Sequence, residues 1–166
     1  GAVAAGQLIA SLMAGPDGAR IVMAETTGWD THAGQRGRLN TQLTALDALI
    51  GSLKDNLGAA WGQTLVIVAT EFGRTAAVNG TGGTDHGTGS LAMLLGGTVA
   101  GGRILADWPG LAAAQLYEGR DLKPTQSIDA VLAGALAGHL GLDPQRAAPL
   151  LFPGGAGTPL AGLIKS

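Results

Sequence analysis

Leu39, Leu43, Leu46, Leu49, Ile50, Leu53 and Leu57 recur at intervals of three and four residues. That spacing places them on one stripe of a 3.6-residue repeat and predicts a long amphipathic helix. Ile128, Val131, Leu132, Ala135, Leu136 and Leu140 predict a second helix, with Thr125 or Ser127 as N-cap and Gly141 as stop. Val3, Leu8, Ile9, Leu12 and Met13 predict an opening helix that ends near Gly15-Pro16. Three unbroken apolar runs have the length and character of buried strands: residues 19–25 (ARIVMAE), 64–70 (TLVIVAT) and 91–95 (LAMLL).

The order strand, long helix, strand predicts a βαβ unit with a right-handed crossover and a parallel strand pair. Residues 75–90 hold too much Gly, Thr and Asn for a crossover helix, so the 91–95 strand is expected antiparallel to its predecessor. The expected fold class is therefore α/β: a layered, mixed but mostly parallel sheet with helices on both faces. Residues 103–122 read as loop with short strands, and the Gly- and Pro-rich tail 149–166 as a surface segment. Residues 1–166 read as a single domain. With no initiator Met and an apolar helix face that begins abruptly, the chain is expected to be the C-terminal portion of a longer protein or a processed product.

Composition narrows the partners. Apolar residues make up 46% and charged residues 13%, which excludes intrinsic disorder. The 29 glycines follow no fixed period, so collagen-like and solenoid readings fail. A net charge of −2 without a basic block leaves no electrostatic footprint for nucleic acid, and none is expected as a partner. No apolar run reaches the ~20 residues needed to span a bilayer. The absence of cysteine removes disulfides and thiolate ligands.

The polar residues gather at the predicted strand ends. Residues 26–32 (TTGWDTH) follow the first strand, and Glu71, Phe72, Gly73, Arg74 and Thr75 follow the second. Carboxyl ends of parallel strands line the ligand crevice of open α/β sheets. An antiparallel third strand begins at that same edge, preceded by Thr84-Asp85-His86-Gly87. Asp30, His32, Glu71, Asp85 and His86 are thus expected along one rim as ligands of a divalent metal. Carboxylates with imidazoles suit zinc, manganese or iron, whereas a site richer in oxygen suits magnesium or calcium.

Each piece also has a plainer reading. Asp30 and His32 alone fit a capping aspartate beside a surface histidine. Glu71 and Arg74 fit an ion pair, and Gly80–Gly89 a flexible loop. Their convergence through the topology is what favours the metal. His139, on the apolar face of the last predicted helix, reads as structural, and Trp61 and Trp108 as packing residues. Trp29 either roofs the rim or wedges its loop.

The string GWDTH (28–32), the leucine-rich helix, TLVIVATEFGRT (64–75), DHG (85–87), GLDP (141–144) and LFPG (151–154) together resemble domain of unknown function family 1501. That family is similar to the alkaline phosphatase and sulfatase superfamily, which hydrolyses phosphate or sulfate esters at one- or two-metal sites. The resemblance implies an alkaline-phosphatase-like sheet, Asp30 and His32 as one ligand pair, Glu71 as a ligand, and Asp85-His86 as the later histidine-bearing loop. It implies a small ester or anionic ligand, with Arg74 neutralising charge on the ester oxygens. It also implies a periplasmic or cell-envelope location reached by twin-arginine export.

Two departures stand out. Phe72 occupies the place where the superfamily has an imidazole, and the segment bearing the nucleophile lies upstream in the superfamily, leaving only Thr27 or Thr75 as substitutes. The competing expectation is therefore a non-catalytic binding or assembly domain, with or without a structural metal. A sheet edge lacking an upstream strand would also favour a homodimer.

Overall fold

The computed structural model describes residues 1–165. Its contacts divide the chain into two compact units: residues 1–61 with 77–85, and residues 62–76 with the remainder from 86 onward.

In the first unit, α1 (Ala2–Met13) packs against α2 (Gln35–Leu57), the helix marked out by the leucine spacing. Gly6 permits the close approach: a Cβ there would lie 2.5 Å from the Leu49 carbonyl oxygen and 2.8 Å from the Leu53 nitrogen. Leu53 is the buried leucine of α2. Gly58 then ends the helix, its N–H donating to the Lys54 carbonyl.

Between the helices, residues 19–25 do not form the expected strand. A strand is defined by its neighbour, and no other segment pairs with this one. Ile21 and Met23 are 82% and 96% exposed. The backbone of residues 20–28 makes no hydrogen bond among the described residues. The predicted parallel pair and its βαβ unit are therefore absent.

The second unit holds β1 (Val66–Val68), β2 (Gly73–Arg74), β3 (His86–Gly87) and β4 (Met93–Leu95). They form two separate two-stranded sheets, β1 with β4 and β2 with β3. Both pairs are antiparallel. The antiparallel pairing expected for residues 91–95 is what forms, with Val66, Ile67 and Val68 opposite Leu95, Leu94 and Met93. The expected fold class is nonetheless wrong. The described residues contain only short antiparallel pairs beside helices, and neither a mostly parallel layered sheet nor an alkaline-phosphatase-like one.

Two helices complete this unit, α3 (Ile128–Leu140) and α4 (Pro144–Leu151). Ser127 caps α3 by accepting from the Ala130 N–H, and Gly141 ends it in the left-handed conformation. Asp143 caps α4 by accepting from the Gln145 N–H, with Pro144 at the first turn. The buried face of α3 consists of Ala130, Ala133, Ala135 and Ala137. Ala133, Ala148 and Ala156 form the core cluster, with Phe152 packed against it. The tail is mostly exposed, as expected of a surface segment, but it is tied down: Leu160 donates to the Ala130 carbonyl, Lys165 to that of Thr98, and Ala156 and Leu163 are buried.

Candidate metal centre

Within the first unit, the loop after residue 28 is fastened by the Gly-rich loop 79–85. Gly34 and Gln35 donate to the carbonyls of Thr81 and Gly82, and Thr84 donates to that of Thr31. Ala33 and Gly82 form an antiparallel bridge. Gly83 is buried where a Cβ would lie under 3.0 Å from the His32 carbonyl, so only glycine fits at this approach.

This clasp brings Asp30, His32 and Asp85 together. Asp30 Oδ1 lies 3.0 Å from His32 Nε2, and Asp85 Oδ1 lies 2.9 Å from His32 Nδ1. The imidazole therefore has a carboxylate at each nitrogen. All three side chains are about half exposed, at 57%, 45% and 53% for Asp30, His32 and Asp85. Asn79 Nδ2 donates to the same Asp85 oxygen at 2.9 Å and to the His32 carbonyl at 2.9 Å. Trp29 donates its indole N–H to Thr26 Oγ1, which holds the turn just ahead of Asp30.

The donor set fits a divalent ion. Asp30 and His32 offer ligand atoms within 4.8 Å of one another. Two ligands each ~2.1 Å from a common ion stand about 3.0 Å apart at a right angle and about 3.4 Å apart at the tetrahedral angle. The 3.0 Å between Asp30 and His32 lies within a few tenths of an ångström of both. A histidine that binds metal through one nitrogen commonly donates its other N–H to a carboxylate, which fixes tautomer and ring orientation. Asp85 stands in that position.

In the second unit, Glu71, Arg74 and His86 lie on or beside the β2–β3 pair. Arg74 stands opposite His86 in register. The Phe72 ring stacks on His86 with centroids 4.2 Å apart and planes 13° from parallel, and the Arg74 guanidinium lies 4.8 Å over the same ring. Phe72 is thus the filling of an Arg–Phe–His stack, held by cation–π and ring packing. Glu71 is exposed.

Nearby, the buried Asp121 accepts from Arg120 Nε at 2.7 Å and from Thr88 Oγ1 at 3.0 Å. The Arg120 hydrogen bond, with that from Thr88, holds the Asp121 carboxyl below its ordinary value despite burial. His139 Nδ1 lies 3.2 Å from Thr98 Oγ1, a contact in keeping with a structural role. The sequence reading passed over Asn79, Thr88 and Asp121. For Asn79 the available signal was the string NGTGG (79–83), since Asn opens turns with its own side chain.

The described residues thus combine helices with short antiparallel pairs, and the first unit carries an aspartate–histidine–aspartate group. A family model described as "Protein of unknown function (DUF1501)" matches residues 1–148, and the chain belongs to that family. No curated protein and no solved structure matches the chain. Among the described residues no helix is long and apolar enough to cross a membrane.

Proposed function

We propose that Asp30 and His32 hold a divalent metal ion. The observation that carries the reading is the pair of carboxylates on His32: Asp85 at Nδ1 orients the ring, and Asp30 at Nε2 shares the cation. Carboxylates with imidazoles favour zinc or manganese over magnesium or calcium.

The proposed reaction is hydrolysis of a phosphate or sulfate ester, carried by the chemistry of the donor set. When bound, the metal supplies Lewis acidity and lowers the pKa of a coordinated water. Arg74, cross-strand from His86 and held over Phe72, provides a fixed guanidinium for the oxyanion of the ester. Export to the periplasm or cell envelope belongs to the same proposal, and fractionation of cells expressing the full-length protein tests it. A homodimer belongs to the same proposal, and sedimentation tests it.

The main test is elemental analysis of the purified protein after incubation with zinc and manganese, repeated with His32→Ala and Asp30→Ala. Stoichiometric metal in the parent and loss in both variants is expected. Unchanged content in both variants, or no metal in the parent, overturns the site. Aryl phosphate and sulfate esters should be hydrolysed by the parent and not by Asp30→Ala. Metal without turnover replaces the hydrolase with the non-catalytic binding domain, a reading that Phe72, packed against His86, also favours.

A further inference from the structure

The Gly-rich loop 79–85 carries a residue whose two chemical ends face two different tasks. Asn79 Oδ1 accepts from the backbone N–H groups of Thr81 and Gly83, each at 3.0 Å. Asn79 Nδ2 donates to the His32 carbonyl and to Asp85 Oδ1. The orientation of the carboxamide is fixed by its surroundings. The groups on the oxygen side are backbone donors, and those on the nitrogen side are acceptors, so a flipped amide would lose all four bonds.

With His32 in the Nδ1–H tautomer, Asp85 Oδ1 receives two donors, the His32 ring N–H and the Asn79 amide. A carboxylate oxygen offers two lone pairs, and both are thereby engaged. Rotation of the Asp85 side chain would break both hydrogen bonds together. The same Asn79 amide grips the His32 backbone, so one side chain sets the spacing between the imidazole and the carboxylate that orients it. Without that spacing, nothing in the pair selects the tautomer that leaves Nε2 directed at Asp30.

We propose that Asn79 is a positioning residue of the metal site: by holding Asp85 and the His32 backbone in one carboxamide, it keeps His32 in the Nδ1–H tautomer with Nε2 presented to the cation. This rests on the reading of His32 Nε2 as a metal ligand. Partners that orient a metal-bound histidine are commonly worth tenfold to a hundredfold in metal affinity.

The test uses Asn79→Ala and Asn79→Ser, each made in the parent chain and in an Asp85→Ala background. Serine keeps a short acceptor that can form the local turn, while its hydroxyl is too short to serve Asp85. It therefore retains the local turn that alanine removes. Mn²⁺ affinity is read by titration. In the parent background both substitutions are expected to weaken Mn²⁺ binding by about tenfold or more. In the Asp85→Ala background the same substitutions should change it by less than about twofold, because Asn79 acts through Asp85. Equal losses in both backgrounds would show that Asn79 only shapes the loop, and no loss in the parent would overturn the proposal outright.

A second readout separates this idea from the metal site itself. The ¹⁵N shifts of the His32 imidazole report its tautomer without any metal. If the parent binds no Mn²⁺, the metal reading fails, and the tautomer decides Asn79 alone. A defined Nδ1–H form that becomes mixed in Asn79→Ser supports the positioning role. An identical tautomer in both proteins refutes it.

Discussion

Replacing Gly83 by alanine adds one methyl group at the tightest point of the clasp around His32. Gly83 does not adopt a left-handed backbone, so alanine is free of conformational strain and the penalty is steric alone. The new Cβ would fall under 3.0 Å from the carbonyl carbon and oxygen of His32 and from the Thr31 carbonyl oxygen. All of these are backbone atoms that cannot swing aside as a side-chain tip does. Restoring ordinary contact near 3.5 Å requires the loops to part by roughly 1 Å. That movement would stretch the Asn79 bond to the His32 carbonyl, now 2.9 Å, and the Thr84 bond to Thr31, now 3.4 Å.

Overpacking of this kind costs about 1–3 kcal/mol, and each weakened hydrogen bond adds about 0.5–1.5 kcal/mol. A total of about 2–6 kcal/mol is expected, a fall in melting temperature of about 4–24 °C for a chain of this size. Gly80 provides the control, because it lies in the same loop without a left-handed backbone and with open space around its would-be Cβ. Gly80→Ala should be neutral or stabilising by up to about 1 kcal/mol. Calorimetry of the two variants beside the parent decides the matter. If Gly83→Ala melts within 1 °C of Gly80→Ala, the close approach of the two loops is wrong, and the geometry around His32 falls with it.

Asp85→Asn keeps the shape of the side chain but removes the charge facing His32, and should weaken Zn²⁺ or Mn²⁺ binding about tenfold to a hundredfold in a competition titration. Asp121 has a folded pKa below its ordinary value, so its contribution to stability is complete above about pH 4 and is lost as pH falls through the lower folded value. Acid unfolding followed by circular dichroism should therefore show a shallower pH dependence below pH 4 for Asp121→Asn, and an unchanged profile would remove Asp121 from the account. In α3, a Cβ at Gly134 would collide with the Leu160 backbone, so Gly134→Ala should destabilise the second unit by about 1–3 kcal/mol in urea unfolding. Asp143→Ala should cost about 0.5–2 kcal/mol in the same assay through loss of the α4 cap.

The helices were legible because a helix satisfies its own backbone. The leucine spacing of α2 and the capped alanine-rich α3 needed no knowledge of the rest of the chain. Strands carry no such guarantee. Residues 19–25 have the composition of a strand, but Ile21 and Met23 face solvent because no other segment lies alongside. The convergence of Asp30, His32 and Asp85 was foreseen by reasoning through a parallel sheet that is absent. The three meet instead because the 79–85 loop bridges Ala33 at Gly82. The role of Asp85 as partner of His32, and that of Asn79 behind it, depended on which oxygen faces which nitrogen. Residue spacing carries no record of that.

The lead-in to the site invites a practical use. Residues 20–28 lie outside helix and strand, largely exposed and without backbone hydrogen bonds among the described residues, whereas residues 31–35 are pinned to the Gly-rich loop. Insertion tolerance follows the burial and hydrogen bonding of the backbone that is cut. A reporter peptide or an affinity tag spliced between Ala24 and Glu25 would thus interrupt no ladder and displace no core side chain. The anchoring of His32 starts downstream of the splice, so the histidine would keep its two carboxylates.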